Sequence, residues 1–164
     1  MGQRGHSKTT VLNFLYGKRN KNHQFRTGFF VHHRTVPVVK TVESVSDRMA
    51  YIVLRGCWCN VIVLNVHAPS EEKSNDSKDS FYDELEQDFD NFPTYHMEIL
   101  LGDFNAKAGG ENIFKPTTGN GSLHRDNNDN GVRTVNFATS ESLIVTSTMF
   151  PHRNTYSIMH LDIS

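Results

Sequence analysis

The sequence predicts an α/β domain, and three observations carry that expectation. Two short apolar runs, Val61–Leu64 and Ile99–Leu101, are each bounded by turn residues, as strands in a buried sheet are. Between them, Phe81, Leu85 and Phe89 recur at the four-residue spacing of an amphipathic helix. The chain has 164 residues, 37% of them hydrophobic and 10% aromatic, enough for a single domain (1–164) with a sizeable core.

The elements follow in order. Thr9 to Tyr16 is rich in β-branched and aromatic residues and reads as a strand, ended by a polar turn over 17–22. Thr27 to His33 is a second strand, entered through Gly28. Val36 to Val45 reads as a strand with Pro37 near its start, where a missing N–H is tolerated. Met49–Arg55 and Asn60–Val66 form a hairpin across Gly56–Cys59, the second arm central in its sheet. Ser77 or Asp79 caps the helix, Tyr82 and Phe92 widen its apolar stripe, and Phe92-Pro93 ends it. Ile99–Leu101 is expected to be a strand buried on both faces. A long polar connection, 107–130, leads to a second helix beginning after Asn130-Gly131 with Val132, Val135, Phe137 and Ala138 on one side. Leu143–Met149 is a further strand.

Composition narrows the classes. No apolar run approaches the roughly 20 residues of a membrane span, and the opening residues lack the apolar stretch of a secretion signal. The chain is therefore expected to be intracellular, nuclear or cytoplasmic, and not held in a membrane. Cys57 and Cys59 flank Trp58 and read as two reduced, packed thiols, too few for a structural zinc site. The net charge of −1 hides an asymmetry: the first 42 residues hold eight Lys or Arg and no acid, and the remainder holds all 18 acids. The basic opening reads as a nucleic-acid-facing edge or as ordinary solvated charge; an acid-poor transit peptide is a third reading, against which the early aromatic strand pattern argues.

The chemistry concentrates at two strand ends. In Leu101-Gly102-Asp103-Phe104-Asn105-Ala106, alternation sends Phe104 to the core and Asp103 with Asn105 to the other side. Gly102, having no Cβ, lets a backbone or a phosphate approach closely. A carboxylate that takes a proton from water, beside an amide that steadies phosphate oxygens, suits phosphodiester chemistry. The plain alternative is a strand ending in an Asp–Phe–Asn turn. Asn65-Val66-His67-Ala68-Pro69-Ser70 closes the other apolar strand and delivers His67 and Ser70 in the same manner. The two ends converge if the strands are neighbours. Asp126 to Gly131 imitates the first half of a calcium loop, but its twelfth position is Phe137, so it reads as a turn before a helix.

Taken together, the Asn65–Pro69 and Leu101–Ala106 motifs with an acidic helix between them resemble the endonuclease/exonuclease/phosphatase superfamily. Thr27–Val31, Ser46-Asp47-Arg48-Met49, Asn128–Arg133 and Phe150–Asn154 are similar to craniofacial development protein 2-like sequences and to LINE-type (non-LTR) retrotransposon endonuclease domains. The resemblance runs from about residue 12 to 155. It implies a four-layer α/β sandwich, two packed sheets flanked by helices, and a magnesium-dependent phosphodiesterase acting on DNA. By the same resemblance Asp103 is the acid that activates water, and it is the one residue offered to the metal. Asn105 is the phosphate-contacting amide. His67 stands where many members have a phosphate-contacting tyrosine, Ser70 where many have an asparagine, and Thr155 resembles a threonine of a later motif. The family's metal-binding glutamate and its terminal Asp–His motif have no counterpart here. The chain therefore looks like the middle of the domain, with little or no catalysis expected. The alternative is a catalytically inactive retroelement-derived fragment that at most binds nucleic acid.

Overall fold

A computed structural model describes residues 12–15, 27–107, 117–119 and 126–146. The described part is an α/β fold built on a four-stranded mixed sheet. Strand β1 (Leu12–Leu15) pairs antiparallel with β2 (Phe29–His32), as a two-stranded sheet of its own. A 3-10 turn, Val36–Val38, follows. Strands β3 (Val39–Ser44), β4 (Met49–Leu54) and β5 (Val61–His67) then form an antiparallel meander. Helix α1 (Asn75–Asp90) carries the chain over to β6 (Met97–Asp103), which pairs parallel with β5. Helix α2 (Asp129–Ser140) completes the described elements. The sheet order is β3-β4-β5-β6, so β5 is an interior strand, as its apolar run predicts.

A parallel pair needs a crossover, and here α1 supplies it. Its inward stripe of Phe81, Tyr82, Leu85 and Phe89 packs with Leu64, Val66 and Leu100 of the sheet and with Phe137 and Ala138 of α2 in one core. Met49, Leu85 and Val135 are fully buried. The other face of the sheet presents Ala50, Ile52, Val63 and Asn65. Asn65 donates its amide to the Gly28 carbonyl at 3.2 Å, which ties the approach to β2 against that face.

Several expectations change. The start of the predicted third strand is a 3-10 turn instead, because Pro37 has no N–H for a ladder and its fixed φ suits a tight turn. Helix α1 begins a turn earlier than predicted: the capping oxygen belongs to Ser74, which accepts the Ser77 N–H. The strand expected to be buried on both faces alternates instead: Leu100 is buried and its neighbours Ile99 and Leu101 only half-buried, for β6 has one strand partner, β5, among the described residues. The two thiols expected to be packed are not: Cys57 is exposed and Cys59 half-buried, in the expected turn joining β4 and β5, and Trp58 at its tip is wholly exposed. Of the predicted 143–149 strand, Val145 makes a single parallel bridge to Thr118, and residues beyond 146 lie outside the described part. The second full sheet of a four-layer sandwich is not among the described elements.

Candidate functional site at the carboxyl ends of β5 and β6

The register of β5 and β6 decides whether the two polar strand ends meet. Val61 pairs with Met97, and the ladder runs without a break to His67 opposite Asp103. The Ala68 N–H donates to the Asp103 carbonyl at 2.8 Å and extends the pairing one residue further. Residues opposite each other in a sheet project to the same face. His67 and Asp103 therefore stand side by side at the rim, on the face opposite the helices.

The antiparallel partner of β5 adds a third member. Met49 pairs with Val66, and the His67 N–H donates to the Arg48 carbonyl at 2.9 Å, so Arg48 lies opposite His67. Its guanidinium is half-buried and donates to the His67 carbonyl at 3.2 Å. No carboxylate pairs with it among the described residues. The result is a row across three strands of a cation, an imidazole and a carboxylate. The sequence reading gave Arg48 no role. The hairpin across Gly56–Cys59 holds the clue, since folding the chain there puts 48 opposite 67.

The local geometry explains how Asp103 and Asn105 are aimed. Gly102 has φ +142°, and a Cβ on it would lie 1.9 Å from the Val66 carbonyl oxygen. The close approach expected at Gly102 is thus made by the backbone of β5. Past Asp103 the strand ends and Phe104 is buried, as alternation predicts. Asn105 does not continue the strand. It turns into the left-handed region at φ 49°, which asparagine tolerates better than most residues. Its N–H donates to the Asp103 Oδ1 at 2.9 Å, and its side-chain amide donates to the Ala68 carbonyl at 2.9 Å. Asp103 keeps Oδ2 and Asn105 keeps one amide N–H and its Oδ1 for a ligand. Asp103 is exposed, Asn105 and His67 are half-buried, and Ser70 is exposed on the loop just beyond. Thr155 lies outside the described residues.

The loops that carry these residues are tied to the start of α2. The amide of Asn130, a fully buried residue, donates to the Pro69 carbonyl at 2.9 Å. Glu71 accepts the Asp129 N–H at 3.2 Å and the Asn128 amide at 3.0 Å. Lys78 of α1 is 3% exposed, and its ammonium reaches Asp129 at 3.0 Å and Glu71 at 3.6 Å. The hydrogen bond from Lys78, then that from Arg133, holds the Asp129 carboxyl below the usual carboxylate range. Arg133 also pairs with Asp79. Sequence patterning saw a turn before a helix at 126–131 and missed this network, because the partners that tie α2 to the loop after β5 and to α1 are 51 to 61 residues apart in the chain.

The donor set also bears on metal binding. Among the described residues no group of three or more His, Cys, Asp or Glu side chains is arranged to hold a metal ion. In the row Arg48, His67 and Asp103 the carboxylate is Asp103, half engaged by the N–H of its own turn. Those residues alone do not make a magnesium site. A separate open cavity of about 410 Å³ has Phe89 and Phe92 with Glu98 and Glu141 on its walls. Burial, then the neighbouring Glu141 charge, raises the Glu98 carboxyl, and burial, then Asp90, raises Glu141. None of the predicted site residues lines it, and its acidity is the wrong sign for a phosphate. No helix among the described residues is long and apolar enough to cross a membrane.

No protein-family model matches the chain. It is similar to craniofacial development protein 2 from Bos taurus, with 30% identity over 114 residues, or 68% of this chain. It is similar to craniofacial development protein 2 from Tragulus javanicus at 29% identity over 114 residues, again 68% of this chain. The chain spans only 19% and 20% of the lengths of these relatives.

Proposed function

We propose that this chain is a phosphodiester-recognising unit of the endonuclease/exonuclease/phosphatase type, of retrotransposon origin, with DNA as its ligand. The observation that carries the reading is the row Arg48, His67 and Asp103, brought into register at one end of the sheet with Asn105 beside it. The Arg48 guanidinium gives one N–H to the His67 carbonyl and has further N–H donors in a planar fork suited to phosphate oxygens. An imidazole N–H of His67 and the remaining Asn105 amide N–H extend that donor set along the rim. Asp103 Oδ2 is the group placed to take a proton from an attacking water, while its Oδ1 is held by the Asn105 N–H. Ser70, on the adjoining loop, is assigned to the substrate backbone, and so, by resemblance, is Thr155. The basic opening adds a sequence-independent attraction to the polyanion.

Magnesium is the family's expected cofactor, and Asp103 is the carboxylate of that row to receive it. A single carboxylate is a poor cage for a divalent ion, so no step is assigned to the metal. We accordingly place this chain as a better binder than cleaver of DNA. The inactive, nucleic-acid-binding fragment is the second reading, favoured by the same shortage of carboxylates. Nicking of supercoiled plasmid by the purified chain, with magnesium and with EDTA, separates the two. The expected rate is within a fewfold of an Asp103→Ala control. Rapid magnesium-dependent nicking that the Asp103→Ala protein lacks would restore the full enzyme.

A further inference from the structure

We infer that Asn128 and Asn130, at the start of α2, are positioning residues that set the direction of Asn105. The inference rests on the phosphodiester reading for what Asn105 does, and on geometry alone for how it is held. The Asn105 carbonyl accepts the Asn128 amide at 3.0 Å and the Asn130 amide at 3.4 Å. These bonds fix the peptide that follows Asn105 while its own φ sits at 49°, a backbone state that persists only where the surroundings determine it. With that peptide fixed, the Asn105 side chain meets the Ala68 carbonyl at 2.9 Å. The same Asn130 amide also takes the Pro69 carbonyl at 2.9 Å, so one buried side chain joins the loop after β5 to the loop after β6.

Asn128 locks the next step of the chain. Its Oδ1 accepts the Lys107 N–H at 2.7 Å and the Gly131 N–H at 2.8 Å, and its own N–H donates to the Lys107 carbonyl at 3.2 Å. A Cβ on Gly131 would lie 2.0 Å from that Lys107 oxygen, so the helix start and the 105–107 segment are in direct backbone contact. Asn128 therefore does two separable things. Its oxygen caps α2 and holds the Lys107 N–H, and its nitrogen donates to the Asn105 carbonyl and to Glu71. Serine caps a helix comparably to asparagine but is too short to reach the Asn105 carbonyl.

The test uses the full chain carrying Asn128→Ser and, separately, Asn130→Ser, read by the side-chain amide pair of Asn105 in a proton–nitrogen NMR spectrum. Asn105→Ala identifies that pair. A 12-base-pair DNA duplex is the binding probe. In the parent protein the Asn105 amide is expected apart from the exposed amides and rigid. In each variant it is expected to move to the exposed, mobile position while the remaining dispersed signals persist. Duplex affinity is expected to fall about tenfold, the size of one hydrogen bond to a charged group. An unchanged Asn105 amide in either folded variant overturns the inference, and so does loss of the fold in both. A parent protein that binds no duplex defeats the phosphodiester reading, and the amide comparison still decides the positioning.

Discussion

Replacing Gly102 by alanine tests the geometry that brings the two strand ends together. The added Cβ would stand 1.9 Å from the Val66 carbonyl oxygen and within 2.9 Å of two further Val66 backbone atoms. Those atoms have no room to withdraw, because Val66 is 1% exposed and pairs with Met49 on its other side. Two costs add. A left-handed backbone at a residue with a Cβ costs about 1–2 kcal/mol. Forcing extra volume into a packed site costs about 1–3 kcal/mol. The sum is about 2–5 kcal/mol, a large part of the 5–15 kcal/mol that holds a domain together. At about 2–4 °C per kcal/mol for a chain of this size, the melting temperature should fall by about 4–20 °C. Thermal and urea unfolding followed by far-ultraviolet circular dichroism measure this, with Glu86→Ala on the exposed side of α1 as a control. A loss below about 0.5 kcal/mol, no larger than an ordinary surface change, would refute the close apposition of β5 and β6 at this residue.

Two further outcomes follow from the same interior. Tyr82→Phe removes a hydroxyl that meets Thr134 Oγ1 at 2.7 Å, while Thr134 still serves the Asn130 carbonyl at 2.8 Å; a loss of about 0.5–1.5 kcal/mol in urea unfolding is expected. Stability should peak in mild acid. Burial raises Glu98 and Glu141, whose penalty at neutral pH is relieved as pH falls toward their raised values, whereas the lowered Asp129 contributes stability above its unfolded value of 3.8 that is lost below it. Glu98→Gln should flatten the neutral limb of a pH–stability profile and Asp129→Asn the acid limb, and a profile unchanged by either substitution would contradict the assignment.

The elements were legible where one pattern dominates. The period of Phe81, Leu85 and Phe89 announces α1, and the two apolar runs announce β5 and β6, because burying an apolar stripe or face leaves a fixed spacing in the sequence. The convergence of His67 with Asp103 was conditional on neighbouring strands and was met. Boundaries were less legible: Ser74, Ser77 and Asp79 can all cap a helix, and which one does is decided by the path of the loop from Pro69. The side-chain network was not legible at all. Asn130 looks like a turn residue in sequence and is fully buried in the fold, since its partners Pro69 and Asn105 arrive from other loops. Asn105 was expected to project with Asp103 by simple alternation, but its left-handed turn directs its amide toward Ala68 instead.

The central claim is that phosphodiesters are recognised where β5 and β6 end. Backbone chemical-shift mapping of the full chain, titrated with a 12-base-pair DNA duplex at low salt, tests it most directly. The account predicts the largest shifts at Arg48, His67, Asp103 and Asn105, weakening as salt is raised because phosphate contacts release counterions. Shifts confined to the opposite end of the sheet, around Trp58, Tyr95 and Met97, would contradict it.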